Sequence, residues 1–174
     1  MKPKHYIDNV LFLKAMIEWK QQLREAEDCG DKTPPVSSYI GECFMKISER
    51  LSYRPNFMNY PFREDMVGDG IENCISYAHN FDETKSKNPF SYFTQIIYYA
   101  FLRRIEKEKK QAYVKYKIMK MDEDASKYTQ WIKDKDFEEY NSTYTTNLLS
   151  DNDIEKLEPK KVRKKRKKQN FFDE

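Results

Sequence analysis

Aromatic and basic residues follow one another at helical spacing between residues 89 and 110. The residues that advance by three or four, and so share one helix face, are Tyr92, Ile96, Tyr99, Arg103, Lys107 and Lys110. Aromatic rings stack on unpaired bases for about 1–3 kcal/mol each. Lys and Arg one or two turns further hold phosphates with a salt-sensitive affinity. This pattern fits DNA where a duplex gives way to single strand.

The alternative for the same strip is structural. Tyr98, Tyr99 and Phe101 would then belong to the core, and residues 103–110 would form a solvated helix end. Residue types alone leave both interpretations open.

The segment before this strip predicts a helix over about residues 62–80 that docks on a protein. Its predicted buried stripe is Val67, Ile71, Cys74, Ile75 and Ala78. Its remaining surface carries Asp65, Asp69, Glu72 and Asn73. Gly68 and Gly70 each cost about 1 kcal/mol in a helix interior relative to Ala. Close approach of another helix explains them better than a flexible first turn, which is the alternative.

The sequence offers no good catalytic site. It has neither a Gly-rich phosphate loop after a strand nor a nucleophile signature. Three scattered cysteines and two histidines assemble no zinc constellation. The carboxylates of Asp65 and Asp69 share a helix face and could bind a metal, but surface solvation is the favoured interpretation. We therefore expect a protein that is not an enzyme and holds no cofactor or metal.

Positive charge is concentrated near the end of the chain. Eight of the nine residues from 160 to 168 are Lys or Arg, although the net charge of the whole sequence is only +3. Such a run more often touches nucleic acid than serves as a solubility tail, which is the alternative. Phe171 and Phe172 follow, with Asp173 and Glu174 after them. This end is typical of a peptide ligand for a hydrophobic pocket.

Helical periodicity and end signals predict an all-α protein. Four helices are expected, over about residues 7–28, 37–51, 62–80 and 89–119. Gly30 is expected to help end the first helix, Ser37 or Ser38 to cap the second, and Asn88 to cap the fourth ahead of Pro89. The predicted apolar face of the first helix is Ile7, Val10, Leu11, Lys14, Ile17 and Trp19. That of the second is Ile40, Phe44, Ile47 and Leu51, and that of the fourth is Phe93, Ile97, Phe101 (or Ala100) and Ile105 (or Arg104).

These elements predict one compact helical domain over residues 1–120. Residues 121–168 are expected to be a largely flexible acidic and then basic linker, with a weak helix near 125–140. Residues 169–174 form the hydrophobic end. No apolar run is long enough for a membrane span, and scattered cysteines fit a reducing compartment. A cytoplasmic protein is therefore expected.

Three motifs in order carry a family resemblance. They are Asp65-Met66-Val67-Gly68-Asp69-Gly70, then Phe81-Asp82, then Phe90-Ser91-Tyr92-Phe93-Thr94. Together they resemble region 2 of bacterial sigma factors. Residues 7–118 and the last few residues are more specifically similar to the late-transcription sigma factors of T-even-type bacteriophages. The segment HNFDETKSKNP, a first helix containing IEWK and the hydrophobic-acidic end fit that family.

The resemblance implies partners as well as a fold. Asp65, Met66, Asp69 and Ile75 would bind the β′ coiled coil of the host RNA polymerase core. The fourth helix would recognise and help melt an A/T-rich, −10-like late promoter. Phe171 and Phe172 would bind the phage DNA sliding clamp. A phage late-transcription coactivator is a further implied partner, and the setting would be the cytoplasm of an infected bacterial host.

The chain departs from the family pattern at several positions, so base-specific DNA-binding roles of the family cannot be assigned to those residues. Sigma factors usually carry two Trp where this chain has Ile96 and Ile97, and a base-reading Gln where it has Ala100. The predicted DNA-binding residues are Tyr92, Phe93, Tyr99, Arg103, Arg104, Lys107 and Lys110. The alternative function is that of a small helical DNA-binding or clamp-associated replication accessory protein, which would bind DNA without polymerase.

Overall fold

The structure, a computed structural model, describes residues 6–124 and 148–158. The regular secondary structure of these residues is all helical, which confirms the predicted all-α class. The helices are α1 (Asn9–Cys29), α2 (Ser38–Ser52), α3 (Arg63–Tyr77), α4 (Pro89–Asp124) and α5 (Asp151–Leu157). A short 3₁₀ turn, Ala78–Asn80, follows α3. The chain divides into two units between Lys107 and Glu108, within α4 and before the predicted domain end at residue 120.

Local capping signals set the helix ends where the sequence predicts them. The Ser37 hydroxyl accepts a hydrogen bond from the backbone N–H of Ile40 at the start of α2. The Asn88 carboxamide accepts one from Ser91 N–H at 3.1 Å, just before Pro89 opens α4. Gly30 ends α1 in the left-handed region at φ 73°, where a residue with a Cβ would be strained.

The core of the first unit, up to Lys107, is aromatic and centred on Phe93. Its ring centroid lies 4.6 Å from that of Phe44 on α2 and 5.7 Å from that of Phe12 on α1. The Phe81 ring, in the turn before α4, lies 6.0 Å away. The predicted faces of α2 and α4 are confirmed, because their named apolar residues are buried.

The predicted apolar faces of α1 and α3 are partly wrong. In α1 the buried residues are Phe12, Met16 and Trp19, whereas Val10 is 75% exposed. The bulky aromatic and thioether side chains of α1 pack in the core, whereas Val10, Leu11 and Ile17 are exposed. The buried residues of α3 are spaced by four: Met66, Gly70 and Cys74, continued by Ala78. Ile75, placed by its apolar character in the buried stripe, is 50% exposed.

Close helix approach, predicted for both glycines of α3, is found only at Gly70. A Cβ at Gly70 would lie 2.9 Å from Ser48 Oγ, 3.0 Å from Ile97 Cγ2 and 3.1 Å from Phe101 Cε1. At Gly68 an added Cβ would meet no atom within 4 Å among the described residues. Gly70 thus lets α2, α3 and α4 pack together.

The second unit, from Glu108 onward, contains a helix that the sequence reading missed. Ser150 and Asp153 form a reciprocal capping box that starts α5, and Leu148 and Leu149 before it are buried. Within the linker expected over residues 121–168, the structure thus contains a helix over Asp151–Leu157 that was not predicted. The weak helix predicted near 125–140, the basic run 160–168 and the terminal residues lie outside the described residues. No helix in the described part is long and apolar enough to cross a membrane.

Candidate functional site

The turn between α3 and α4 fixes where α4 begins. Phe81 is buried, and the Asp82 carboxylate accepts hydrogen bonds from Thr84 N–H at 2.9 Å and from the Thr84 hydroxyl at 2.6 Å. These hydrogen bonds hold the pKa of Asp82 well below its usual range. Lys20 of α1 donates to the Phe81 carbonyl oxygen, and Arg24 pairs with Glu83. The start of α4 is thereby tied to α1.

An open cleft of about 610 Å³ lies where the first turns of α4 meet the C-terminal end of α2. Its lining residues are Leu51, Arg54, Ser86, Asn88, Phe90, Ser91, Tyr92, Thr94, Gln95 and Tyr98. Hydroxyls and amides supply donors and acceptors, while the aromatic rings supply stacking surfaces. A cleft of this composition can accept an unpaired nucleic-acid base, and the guanidinium of Arg54 can attract the adjoining phosphate.

Most of this lining was not predicted from the sequence. Arg54, Ser91, Gln95 and Tyr98 were absent from the predicted DNA-binding set. No local pattern reveals Arg54, because it follows α2 and reaches the cleft only through the tertiary fold. A signal did exist for the residues on α4: Ser91, Gln95 and Tyr98 advance by three or four and so share a face beside the predicted strip.

The exposed part of the predicted strip is connected to the cleft through Tyr99, whose ring centroid lies 5.8 Å from that of the cleft residue Tyr98. The side chain of Tyr99 is 56% exposed, and Arg103 and Lys107 are also exposed. Tyr92 is half-buried against Phe81, with ring centroids 5.3 Å apart, and it lines the cleft. Burial raises the pKa of the Tyr92 phenol above its ordinary value of 10.0.

Lys110, the last residue of the predicted strip, belongs to the second unit. Its side chain is exposed there.

The structure corrects the prediction that Phe93 stacks on DNA bases. The Phe93 ring is 0% exposed at the centre of the aromatic core, so it is not available to stack on a base. Phe93 lies on the buried face of α4 that Ile97 and Phe101 continue, and its ring packs on Phe12 of α1 and Phe44 of α2.

Two residues that are predicted to bind different partners form an ion pair with each other. Arg104 Nε lies 2.7 Å from Asp69 Oδ2, and Arg104 Nη2 donates to Asp69 Oδ1 at 3.2 Å. Both side chains are largely buried, with 18% of Arg104 and 32% of Asp69 exposed. This ion pair joins α3 to α4, and the roles of Asp69 in binding polymerase and of Arg104 in binding DNA stay predictions.

Arg103 also connects α4 to α3, through a hydrogen bond to Asn73. Its Nη2 donates to Asn73 Oδ1 at 2.7 Å, although the rest of the side chain is exposed. The bond ties the guanidinium of Arg103 to α3.

The outward face of α3 presents part of the predicted polymerase-binding set. Asp65 and Glu72 are exposed, and Ile75 is 50% exposed. Met66, by contrast, is 0% exposed, because the spacing of four that buries Gly70 and Cys74 also turns Met66 inward. Met66 is therefore corrected to a core residue. The exposed Asp65, Glu72 and Ile75 form an acidic surface with one apolar residue, hereafter the α3 surface.

Among residues 6–124 and 148–158, no group of three or more His, Cys, Asp or Glu side chains is placed to hold a metal ion. Phe171 and Phe172 lie outside the described residues. Comparison with models of known protein families gives no match, and no curated protein sequence matches the chain significantly.

Proposed function

We propose that this chain is a sigma-type transcription initiation factor that is not itself an enzyme. The observation that supports the proposal best is the pairing of two surfaces in the first unit. One is the open cleft on α4 together with the aromatic-basic strip of the same helix, and the other is the acidic α3 surface. The ion pair of Asp69 with Arg104 connects the two helices that carry them.

The α3 surface would bind the β′ coiled coil of the host RNA polymerase core. Exposed Ile75 provides an apolar centre, and Asp65 and Glu72 provide charge around it. An apolar anchor within a polar rim is the usual composition of a protein-binding surface. The sequence motif around Asp65 is the one that resembles sigma region 2.

The α4 surface would hold promoter DNA of the A/T-rich, −10-like kind as it opens. An unpaired base would enter the cleft beside Tyr92 and Tyr98, and Tyr99 would stack on a neighbouring base. Arg103 and Lys107 would contact phosphates. The cleft residues thus replace the stacking role that the sequence suggested for Phe93.

The remaining partners of the proposal come from the sequence resemblance. Phe171 and Phe172 would bind the phage DNA sliding clamp, and a late-transcription coactivator would complete the assembly. The setting would be the cytoplasm of an infected bacterial cell.

Binding to the isolated β′ coiled coil tests this proposal. The wild-type chain is expected to bind, and Ile75→Glu is expected to weaken binding at least tenfold. A buried apolar anchor contributes about 2 kcal/mol or more, and about 1.4 kcal/mol corresponds to tenfold. The matched control is Val10→Glu, which puts the same charge at another exposed aliphatic position, on α1. Binding of DNA alone, with no binding of the coiled coil, would instead favour a DNA-binding replication accessory protein.

A further inference from the structure

Opposite charges are gathered on two segments of the second unit. The lysines of α4 in this unit are Lys109, Lys110, Lys115, Lys117 and Lys120. The acidic residues of the segment 148–158 are Asp151, Asp153, Glu155 and Glu158. We call residues 148–158 the acidic segment.

Two ion pairs hold the acidic segment against α4. Lys109 Nζ lies 2.8 Å from Asp153 Oδ2, and Lys117 Nζ lies 2.9 Å from Glu158 Oε1. Both pairs advance in the same chain direction, so the acidic segment runs along α4. At 1.5 Å rise per residue, Lys109 and Lys117 are about 12 Å apart along the helix axis.

Apolar and capping contacts order the acidic segment. Leu148 and Leu149 are buried, and Ser150 caps α5 by accepting a hydrogen bond from Asp153 N–H at 3.3 Å. The hydrogen bond from Lys109 lowers the pKa of the Asp153 carboxyl to about 2, so Asp153 is ionised at neutral pH. A helix of seven residues is too short to be stable alone, so these contacts must hold it.

We infer that the acidic segment is an internal competitor for nucleic acid, occupying in the free chain the two lysines that a phosphate backbone would otherwise bind. The inference rests on the proposed function only in taking nucleic acid as the partner. Lysine ammonium groups bind carboxylates and phosphates through the same donors. A strand that follows α4 would therefore have to displace Asp153 and Glu158.

The ion pair of Lys117 with Glu158 is the more exposed of the two and is suited to displacement. The side chains of Lys117 and Glu158 remain 39% and 53% exposed, so water and salt weaken their attraction. A polyanion also releases its own counterions when it replaces the carboxylates. If the acidic segment is docked nine-tenths of the time, the apparent affinity for nucleic acid is lowered about tenfold.

The test compares two double variants of the full chain that remove the same charge. In Asp153→Asn/Glu158→Gln the two lysines lose their partners. Asp151→Asn/Glu155→Gln neutralises two exposed acids of the same segment and serves as the control. The measurement is the fluorescence anisotropy of a labelled 20-nucleotide single strand at about 50 mM salt, where phosphate contacts are strong.

The first variant is expected to bind about tenfold more tightly than the wild-type chain. The control is expected to stay within about twofold, since only general repulsion changes. An equal gain in both variants, or no gain in the first, overturns the inference. Because the assay contains no polymerase, such a failure leaves the coiled-coil result untouched.

A second measurement uses the wild-type chain and does not depend on a variant folding. Hydrogen exchange at the backbone amides of residues 151–157 is expected to speed up at least tenfold when the same single strand is added to saturation. Displacement of the acidic segment removes the contacts that order α5. Unchanged or slower exchange under saturating DNA would overturn the inference.

Discussion

Replacing Phe93 with alanine is expected to lower the free energy of unfolding of the first unit by about 3–5 kcal/mol. The Phe93 ring is fully buried and contacts the rings of Phe12, Phe44 and Phe81, so truncation leaves a cavity bounded by three elements. A loss of this size is a large part of the stability of a small domain. Urea denaturation followed by far-UV circular dichroism measures it.

Tyr99→Ala is the matched control, because it truncates an aromatic residue of the same helix that is 56% exposed. Its effect on stability should stay within about 0.5 kcal/mol. Its affinity for single-stranded DNA should nevertheless fall about tenfold, since a stacked base contributes about 1–3 kcal/mol. The reverse result, a stable Phe93→Ala variant that has lost DNA binding, would contradict the division between core and binding residues.

Gly70→Ala is expected to destabilise the first unit by about 1–3 kcal/mol, although alanine is the better helix former. The added methyl would lie 2.9 Å from Ser48 Oγ and 3.0 Å from Ile97 Cγ2. Ile97 is β-branched and fully buried, so its side chain has little freedom to move away. The free energy of unfolding from urea titration is again the quantity measured.

Gly68→Ala makes the same chemical change two residues earlier in α3. The added methyl meets no described atom within 4 Å, so only helix propensity acts. This variant is expected to be more stable than the wild-type chain by about 0.5–1 kcal/mol. If both alanine variants shift stability in the same direction, the close approach of α2 and α4 at Gly70 is not the reason for that glycine.

Local signals made much of the fold predictable. The caps at Ser37 and Asn88 and the helix end at Gly30 depend on neighbours in sequence, and the structure places each as expected. The buried faces of α2 and α4 were also predictable, because their apolar residues keep one period. The start of α5 had a signal in Ser150 and Asp153, but few apolar residues around it supported a helix.

Which side chains pack in the core and which residues of different helices contact each other could not be predicted from the same patterns. Apolar residues on α1 suit two faces, and only packing decides that Phe12 is buried while Val10 is exposed. The pairing of Asp69 with Arg104 joins residues on different helices that a one-dimensional pattern assigns to different partners. The cleft depends on Arg54 meeting α4 residues far along the chain. The sequence therefore placed candidate site residues on α3 and α4, but it did not reveal that Met66 and Phe93 are buried in the core.

Promoter opening tests directly whether the chain is a sigma-type initiation factor. The measurement is permanganate reactivity of unpaired thymines on a template whose only promoter element is an A/T-rich, −10-like sequence, with purified host core polymerase. We expect reactive thymines at the start site when the chain and the core polymerase are both present, and none with either alone. Absence of reactivity with both present, whether or not the sliding clamp is added, would contradict the proposed function.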